Sequence, residues 1–230
     1  MAEKEGRLYV VSTPIGNLED ITFRAIKVLR KVKLIAAEDT RRAKKLLARY
    51  RIKTPLTSLF EHNEPSKKLA LVKRIVEGDE IALISNAGTP VVSDPGFRLV
   101  QRVIEEGVDV VPIPGPSALI AALTISGLPT DSFHFFGFLP PKGAKRKRRL
   151  EEIQQLRGTI ILYEAPHRLM RTLQDLRGIC GDRQIVVARE LTKLYEEVIR
   201  GTIVEVIDAL KGGHVRGEIT LVVAGIGRGG

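Results

Sequence analysis

The chain has 230 residues, of which 37 are Lys or Arg and 27 are Asp or Glu, giving a net charge of +10 on a sequence that is 43% hydrophobic. That apolar share suits one large folded domain or two of about 100 residues each, and it excludes a disordered or collagen-like chain. A lone cysteine, Cys180, excludes an intramolecular disulfide and any zinc or iron–sulfur site built from cysteines, and no metal is expected.

The N-terminal MAEKEGRLYVVS carries mixed charge ahead of a short apolar run, LYVV (8–11), which is too brief for a signal-peptide core and reads as a first strand. Residues 20–30 (DITFRAIKVLR) put Ile21, Ala25, Val28 and Leu29 on one face behind an Asp start signal, the pattern of a helix. VKLIAA (32–37) is the next strand. A basic helix follows over 40–53, with Leu46, Leu47 and Tyr50 as its apolar stripe and Asp39 as its cap. Helical patterns at 66–77 and 95–106 flank the strand EIALIS (80–85), with Asp94 in the capping position of the second, and VDVVPI (108–113) follows. Strands alternating with helices imply α/β units around a mostly parallel sheet.

Three prolines in PIPGPS (112–117) interrupt this alternation and place a boundary between an N-terminal α/β domain, 1–113, and a C-terminal α/β domain, 114–230. The second half opens on an Ala-rich segment, 117–127. It continues with a basic helix striped by Leu150, Ile153 and Leu156, then the strands TIILY (159–163), QIVVA (184–188) and EITLVVAG (218–225). Clear helical patterns are fewer here, so a mixed sheet is expected. The longest weakly polar stretch, 118–128, falls short of the about 20 residues that cross a bilayer, and the chain reads as soluble and cytoplasmic with no membrane partner.

The positive charge is clustered. Residues 40–53 (TRRAKKLLARYRIK) hold seven basic side chains and residues 142–149 (KGAKRKRR) hold six, with no acid in either, leaving 24 basic and 27 acidic residues elsewhere. Two acid-free runs at this density favour a phosphate backbone as partner over two solvated helix faces. Arg41, Arg42, Lys44 and Lys45 of the first run, and Lys142, Lys145, Arg146, Lys147, Arg148 and Arg149 of the second, are the candidate RNA contacts. No aromatics interleave with them, which argues against a single-strand stacking platform.

In open α/β sheets ligands bind beyond the carboxyl ends of the strands. The segments there are rich in small and turn-forming residues: STPIGNLEDIT (12–22), SNAGTPVVSDPG (85–96), PGPSA (114–118) and YEAPHR (163–168). Such residues let backbone approach a ligand closely and leave N–H and C=O groups free to bond it. Neither a G-x-G-x-x-G nor a P-loop follows a strand, so a cofactor would be held by backbone edges.

These segments, together with AEDTR, FEHNE, PIPGPSALIAALTISGLP and GEITLVVAG, resemble the tetrapyrrole-methylase superfamily and, within it, the small-subunit ribosomal RNA 2′-O-methyltransferase I family. The resemblance implies an S-adenosylmethionine enzyme of two α/β domains, with the cofactor in the interdomain cleft, usually a homodimer. It implies methylation of the ribose 2′-hydroxyl of a cytidine in the decoding region of 16S ribosomal RNA, free or within the small ribosomal subunit. Carried over by position, Pro14, Ala87, Gly88, Thr89, Val92, Ser117, Ala118, Tyr163 and Glu164 are the cofactor-binding residues. Thr89 departs from the Asp of the tetrapyrrole-modifying members, which argues against a tetrapyrrole substrate. Family members commonly continue past GEITLVVAG into another helical piece.

Two residues stand out as proton acceptors for a weakly nucleophilic hydroxyl. Glu38, at the end of the second strand, aligns with a proton-accepting Asp in the siroheme-forming relatives. His62, between Glu61 and Glu64 in FEHNE, is the second. His167, Arg168, Arg41 and Arg42 are suited to phosphate. A tetrapyrrole methyltransferase and a non-catalytic RNA-binding module are the competing readings; the first leaves the two basic blocks unexplained, the second the four small-residue segments.

Overall fold

The computed structural model describes residues 6–227. They form two compact units, divided between Ser117 and Ala118, four residues beyond the expected break. The PGPS segment belongs to the first unit because it folds back onto that unit's own strands: a Cβ at Gly115 would lie 3.0 Å from the Cβ of Ser12.

The first unit is a parallel sheet of β1 (Arg7–Val11), β2 (Leu34–Ala37), β3 (Leu56–Ser58), β4 (Glu80–Ile84) and β5 (Val110–Ile113), in the order β3-β2-β4-β1-β5. Each strand alternates its side chains between two apolar layers, as the pleat requires. Tyr9, Val11, Ile35, Ala37, Ala82 and Ile84 meet α1 (Phe23–Lys31) and α2 (Thr40–Arg49) on one face. Leu8, Leu34, Ala36, Ile81 and Leu83 meet α3 (Glu64–Val76) and α4 (Phe97–Glu105) on the other.

Helix starts differ from the expected ones where a better cap is available. Residues 18–20 form a separate 3-10 turn, and α1 begins at Phe23 because the Thr22 hydroxyl accepts the Ala25 N–H at 3.1 Å. Asp39 caps α2 through the Arg41 N–H at 2.8 Å. Asp94 is not the cap of α4, which begins two residues after Pro95 behind Gly96 at φ 116°. A Cβ on Gly96 would meet Leu83 Cδ2 at 2.6 Å, so only glycine fits there. The missing cap comes from the neighbouring helix: the buried Glu64 carboxylate accepts the Leu99 N–H at 3.0 Å, at the positive end of the α4 dipole.

The second unit is the expected mixed sheet. Its strands are β6 (Phe133–Phe138), β7 (Thr159–Glu164), β8 (Gln184–Arg189), β9 (Glu197–Thr202) and β10 (Ile219–Val223), in the order β6-β7-β10-β8-β9. Only β6 and β7 pair in parallel; β10 runs against both β7 and β8. α5 (Ala118–Thr124) lies against β7 and β10, while α6 (Gly143–Gln154), α7 (Leu169–Cys180) and α8 (Ile203–Leu210) share a core with the sheet around Leu162, Leu173, Val187, Val206 and Leu221. α7 and α8 are helices that the sequence patterns leave unassigned. None of the described helices is long and apolar enough to cross a membrane.

Candidate active site at the carboxyl edge of the first sheet

β1 and β4 are neighbours, yet the chain leaves β1 over the face covered by α1 and leaves β4 over the face covered by α4. Parallel neighbours whose connections part in this way open a crevice beyond their carboxyl ends, the preferred ligand position in an open α/β sheet. Three of the small-residue segments meet there.

They are stitched together by short polar contacts. Thr13 and Gly88 exchange backbone hydrogen bonds, each N–H to the other's carbonyl at 2.9 Å, in an isolated bridge outside the sheet. Beside it the Thr89 hydroxyl donates to the Pro116 carbonyl at 3.3 Å and lies 3.1 Å from the Ser12 hydroxyl. Gly88 has φ 75°, and a Cβ there would sit 3.4 Å from Ile15 Cγ2, so glycine keeps this floor both unstrained and low. Two buried polar atoms at this edge, Thr13 Oγ1 and Asn86 Oδ1, have no hydrogen-bond partner within the protein. Unpartnered buried oxygens are costly unless something else satisfies them. A backbone-lined floor with two oxygens left over fits a polar, adenosyl-bearing cofactor, which Thr13, Pro14, Ala87, Gly88, Thr89 and Ser117 could hold. Pro14 is buried in the floor and Val92 is exposed further along the same segment. Thr13 and Asn86 carry no signal of their own in the sequence; both lie inside the small-residue segments that do.

The segment following β4 is strained. Val91 and Ser93 both occupy the left-handed region, at φ 75° and 63°. A β-branched residue there is a true outlier, and such conformations persist only where the surroundings hold them.

Carboxylates cluster at the same edge. Glu38, directly after β2, accepts the Asn86 N–H at 3.2 Å. Asp94 follows in the segment after β4, where burial, then the charge of Glu38, raise its carboxyl to about 6, while the Ser85 hydroxyl donates to the Ala87 carbonyl at 3.2 Å. The place of Asp94 just before Pro95 reads as a helix cap in the sequence, but in the structure Gly96 is the residue before α4 and Asp94 is half-buried in the loop. Asp39 is fixed in its capping task by Arg41, whose hydrogen bonds hold its carboxyl down at about 2. His62 lies exposed in the turn after β3, one strand beyond β2. Its flanking Glu64 is not part of a polar loop but buried against α4.

In the second unit Tyr163 is half-buried, with its ring 5.0 Å from Phe135 and 5.7 Å from Phe138. Ala118 is the first residue of α5. Glu164 turns inward: it is 2% exposed, accepts from Ala165 N–H and the Thr172 hydroxyl, and pairs with Arg168 at 3.3 Å. This closed network replaces the expected ligand contact at Glu164. Arg146 is a second correction. It is 3% exposed and reaches Asp175, the Pro140 carbonyl and the Thr172 hydroxyl at 2.8, 3.1 and 2.9 Å, so all of its fork is used inside the unit and none remains for RNA. Arg149 is engaged by Glu152 at 2.8 Å and lies over the Phe136 ring, and Lys147 pairs loosely with Glu151. Lys142, Lys145 and Arg148 are exposed. On α2, Arg41 pairs with Asp39, whereas Arg42, Lys44, Lys45 and Arg49 are exposed and form no ion pair among the described residues.

Residues 7–207 match the family model described as tetrapyrrole (corrin/porphyrin) methylases. The chain belongs to this family. Among curated relatives, it is 49% identical over 98% of its length to a protein of Halalkalibacterium halodurans, of which 78% is covered, and 51% identical over 96% to one of Bacillus subtilis, of which 75% is covered. A third, from Thermotoga maritima, is 47% identical over 96% of this chain and 99% of its own length. All three carry the name ribosomal RNA small subunit methyltransferase I. Among solved structures, diphthine synthase superposes with a TM-score of 0.74 at 14% identity over 95% of this chain and 90% of its own, and the cobalt precorrin-4 methyltransferase with 0.68 at 17% over 95% and 94%. At these identities the structural likeness establishes the fold alone. As a member of the family the chain is a methyltransferase, and S-adenosylmethionine is its methyl donor.

Proposed function

We propose that the protein transfers a methyl group to the ribose 2′-hydroxyl of a cytidine in the decoding region of 16S ribosomal RNA. The observation that carries this reading is the placement of α2. Its cationic face begins immediately after Glu38, so a polyanion lying along Arg42, Lys44, Lys45 and Arg49 runs towards the same sheet edge as the stitched loops. The names of the relatives at about half identity agree with an RNA substrate. Thr89 adds to this: its hydroxyl closes the loop floor through Ser12 and Pro116, a task for a neutral side chain where a tetrapyrrole enzyme has a charge. On the second unit, Lys142, Lys145 and Arg148 are further candidate RNA contacts, since they present their cations to solvent. We place the enzyme in the cytoplasm as a homodimer.

Methyl transfer from a sulfonium is an in-line displacement, so the attacking oxygen, the methyl carbon and the sulfur must be aligned at near-contact distance. The bound cofactor supplies the activated methyl group. The chain's own residues would hold it on the Thr13–Gly88 floor, hold the ribose through its phosphates and accept the hydroxyl proton at Glu38, with His62 the second candidate acceptor. The test is incubation with labelled S-adenosylmethionine and either small-subunit RNA, assembled 30S subunits or a porphyrinogen. Label in ribose of the RNA is expected, and label in the porphyrinogen alone contradicts the reading.

A further inference from the structure

α1 continues the positive charge of α2. Residues 21–53, from just before α1 to just past α2, hold twelve basic and two acidic side chains, a surplus equal to the net charge of the whole chain. The two acids are Glu38 and Asp39, and each is engaged, Glu38 by the Asn86 N–H and Asp39 by Arg41. Residues 61–109, which supply α3 and α4 on the opposite face of the same sheet, hold six basic and nine acidic side chains. The first unit is therefore cationic on one face only. Its two basic helices are fastened side by side: they share one core, the Arg30 guanidinium donates to the Tyr50 carbonyl at 2.8 Å, and the Tyr50 hydroxyl donates at 2.5 Å to the carbonyl of Leu18, ahead of α1. On α1, Lys31 pairs with Glu80, whereas Arg24 and Lys27, one turn apart, are exposed and form no ion pair among the described residues. Phe23, beside Arg24 in the first turn, lies off the buried stripe of Ala25 and Leu29 and is 86% exposed.

We propose that the outer surfaces of α1 and α2 form one docking surface for RNA, in which Arg24 and Lys27 bind phosphates beside the α2 cations and the Phe23 ring stacks on an unpaired base. The proposal rests on the RNA reading above and extends its contact from one helix to two. Charge complementarity selects this partner: an RNA strand repeats one negative charge per nucleotide, so it can meet cations on both helices at once, and its unpaired bases offer flat π-faces to an exposed ring. A lipid surface would require an apolar stripe free to insert, and the apolar stripes of α1 and α2 face the core. A protein interface is centred on a cluster of apolar side chains, whereas Phe23 is the one exposed large apolar residue of these two helices.

The experiment is filter binding of small-subunit RNA over a salt series for the wild type, the double variant Arg24→Gln with Lys27→Gln, Phe23→Ala, and a control of equal charge on the opposite face, Lys68→Gln with Lys73→Gln. The α1 double variant should weaken binding and flatten the dependence of log Kd on log salt by about 0.7–0.9 for each phosphate released. Phe23→Ala should weaken binding about fivefold or more and leave the slope in place, because stacking displaces no counterions. The control should match the wild type in both. The α1 side chains replaced are exposed, and a melting curve for each variant verifies the fold. An α1 double variant with wild-type affinity and slope overturns the proposal, as does a control that loses as much, which would make net charge the cause. Unchanged affinity in Phe23→Ala overturns the stacking contact. Binding to phosphatidylserine vesicles that needs Arg24 and Lys27 while RNA binding does not also overturns the proposal. A wild type that binds RNA through α1 but leaves its ribose unmethylated upholds the docking surface and contradicts the reaction proposed above; a wild type that methylates the RNA with α1 irrelevant to binding does the reverse.

Discussion

Burial and the charge of Glu38 lift the Asp94 carboxyl from 3.8 to about 6, and this displacement has a sign for stability. A carboxyl whose folded value exceeds its unfolded one holds its proton more tightly in the native state, so its contribution is present below 3.8 and is lost as the pH rises through about 6. Asp94→Asn should therefore raise the Tm at pH 8 and give no such gain at pH 4, by scanning calorimetry at the two values. The gain is smaller than the shift alone implies, because the group keeps part of its contact with water. Arg146 gives the opposite result. Removing it deprives the Pro140 carbonyl and the half-buried Asp175 of its bonds and empties a buried site, so Arg146→Ala should cost about 1–3 kcal/mol in urea denaturation, against about 0.5 kcal/mol or less for its exposed neighbour Lys145→Ala. By charge alone the two residues are indistinguishable within KGAKRKRR. Helical phase separates them: Arg146 lies four residues before Leu150 and seven before Ile153, on the buried stripe, a signal present in the sequence that the density of charge obscures.

Elements are legible in the sequence where a local cause determines them. The seven Val- and Ile-rich runs become seven of the ten strands among the described residues, leaving β3, β6 and β9 unforeseen, and the small residues following β1, β4 and β5 become the stitched loops, because a short apolar run between turn formers has few alternatives. Helix starts are less legible, since they depend on which cap wins. The Thr202 and Glu205 side chains form a complete capping box at the start of α8, a local pattern that is easily passed over because the apolar run behind it is short. The cap of α4 has no local signal at all, because it comes from Glu64, 35 residues earlier. Replacing that carboxylate leaves a buried N–H unsatisfied, so Glu64→Ala should destabilise the protein by about 1–3 kcal/mol in urea denaturation. α2 carries the prediction for binding. Changing Arg42, Lys44 and Lys45 to Gln should weaken RNA binding and flatten the dependence of log Kd on log salt by up to about 0.7–0.9 for each phosphate that is no longer neutralised. An unchanged slope in a titration over salt would make α2 a solvated face. These three side chains form no ion pair among the described residues, so the substitutions should leave the fold intact.

At the scale of the whole molecule, the net charge of +10 is a poor description of the electrostatics. The structure divides it further than the sequence does: the run on α2 presents its cations to solvent, whereas on α6 Arg146 is drawn into the interior and Arg149 and Lys147 are taken up by local partners. The strained loop after β4, the two unpartnered oxygens and the clustered carboxylates fall together at one edge of the first sheet, the kind of local departure from stability that marks a working site. The most direct test of the account is mass-spectrometric mapping of ribose methylation in small-subunit RNA treated with the purified protein and labelled S-adenosylmethionine. One labelled 2′-O-methylcytidine in the decoding region is predicted; label confined to a base, or to a porphyrinogen supplied in competition, would contradict it.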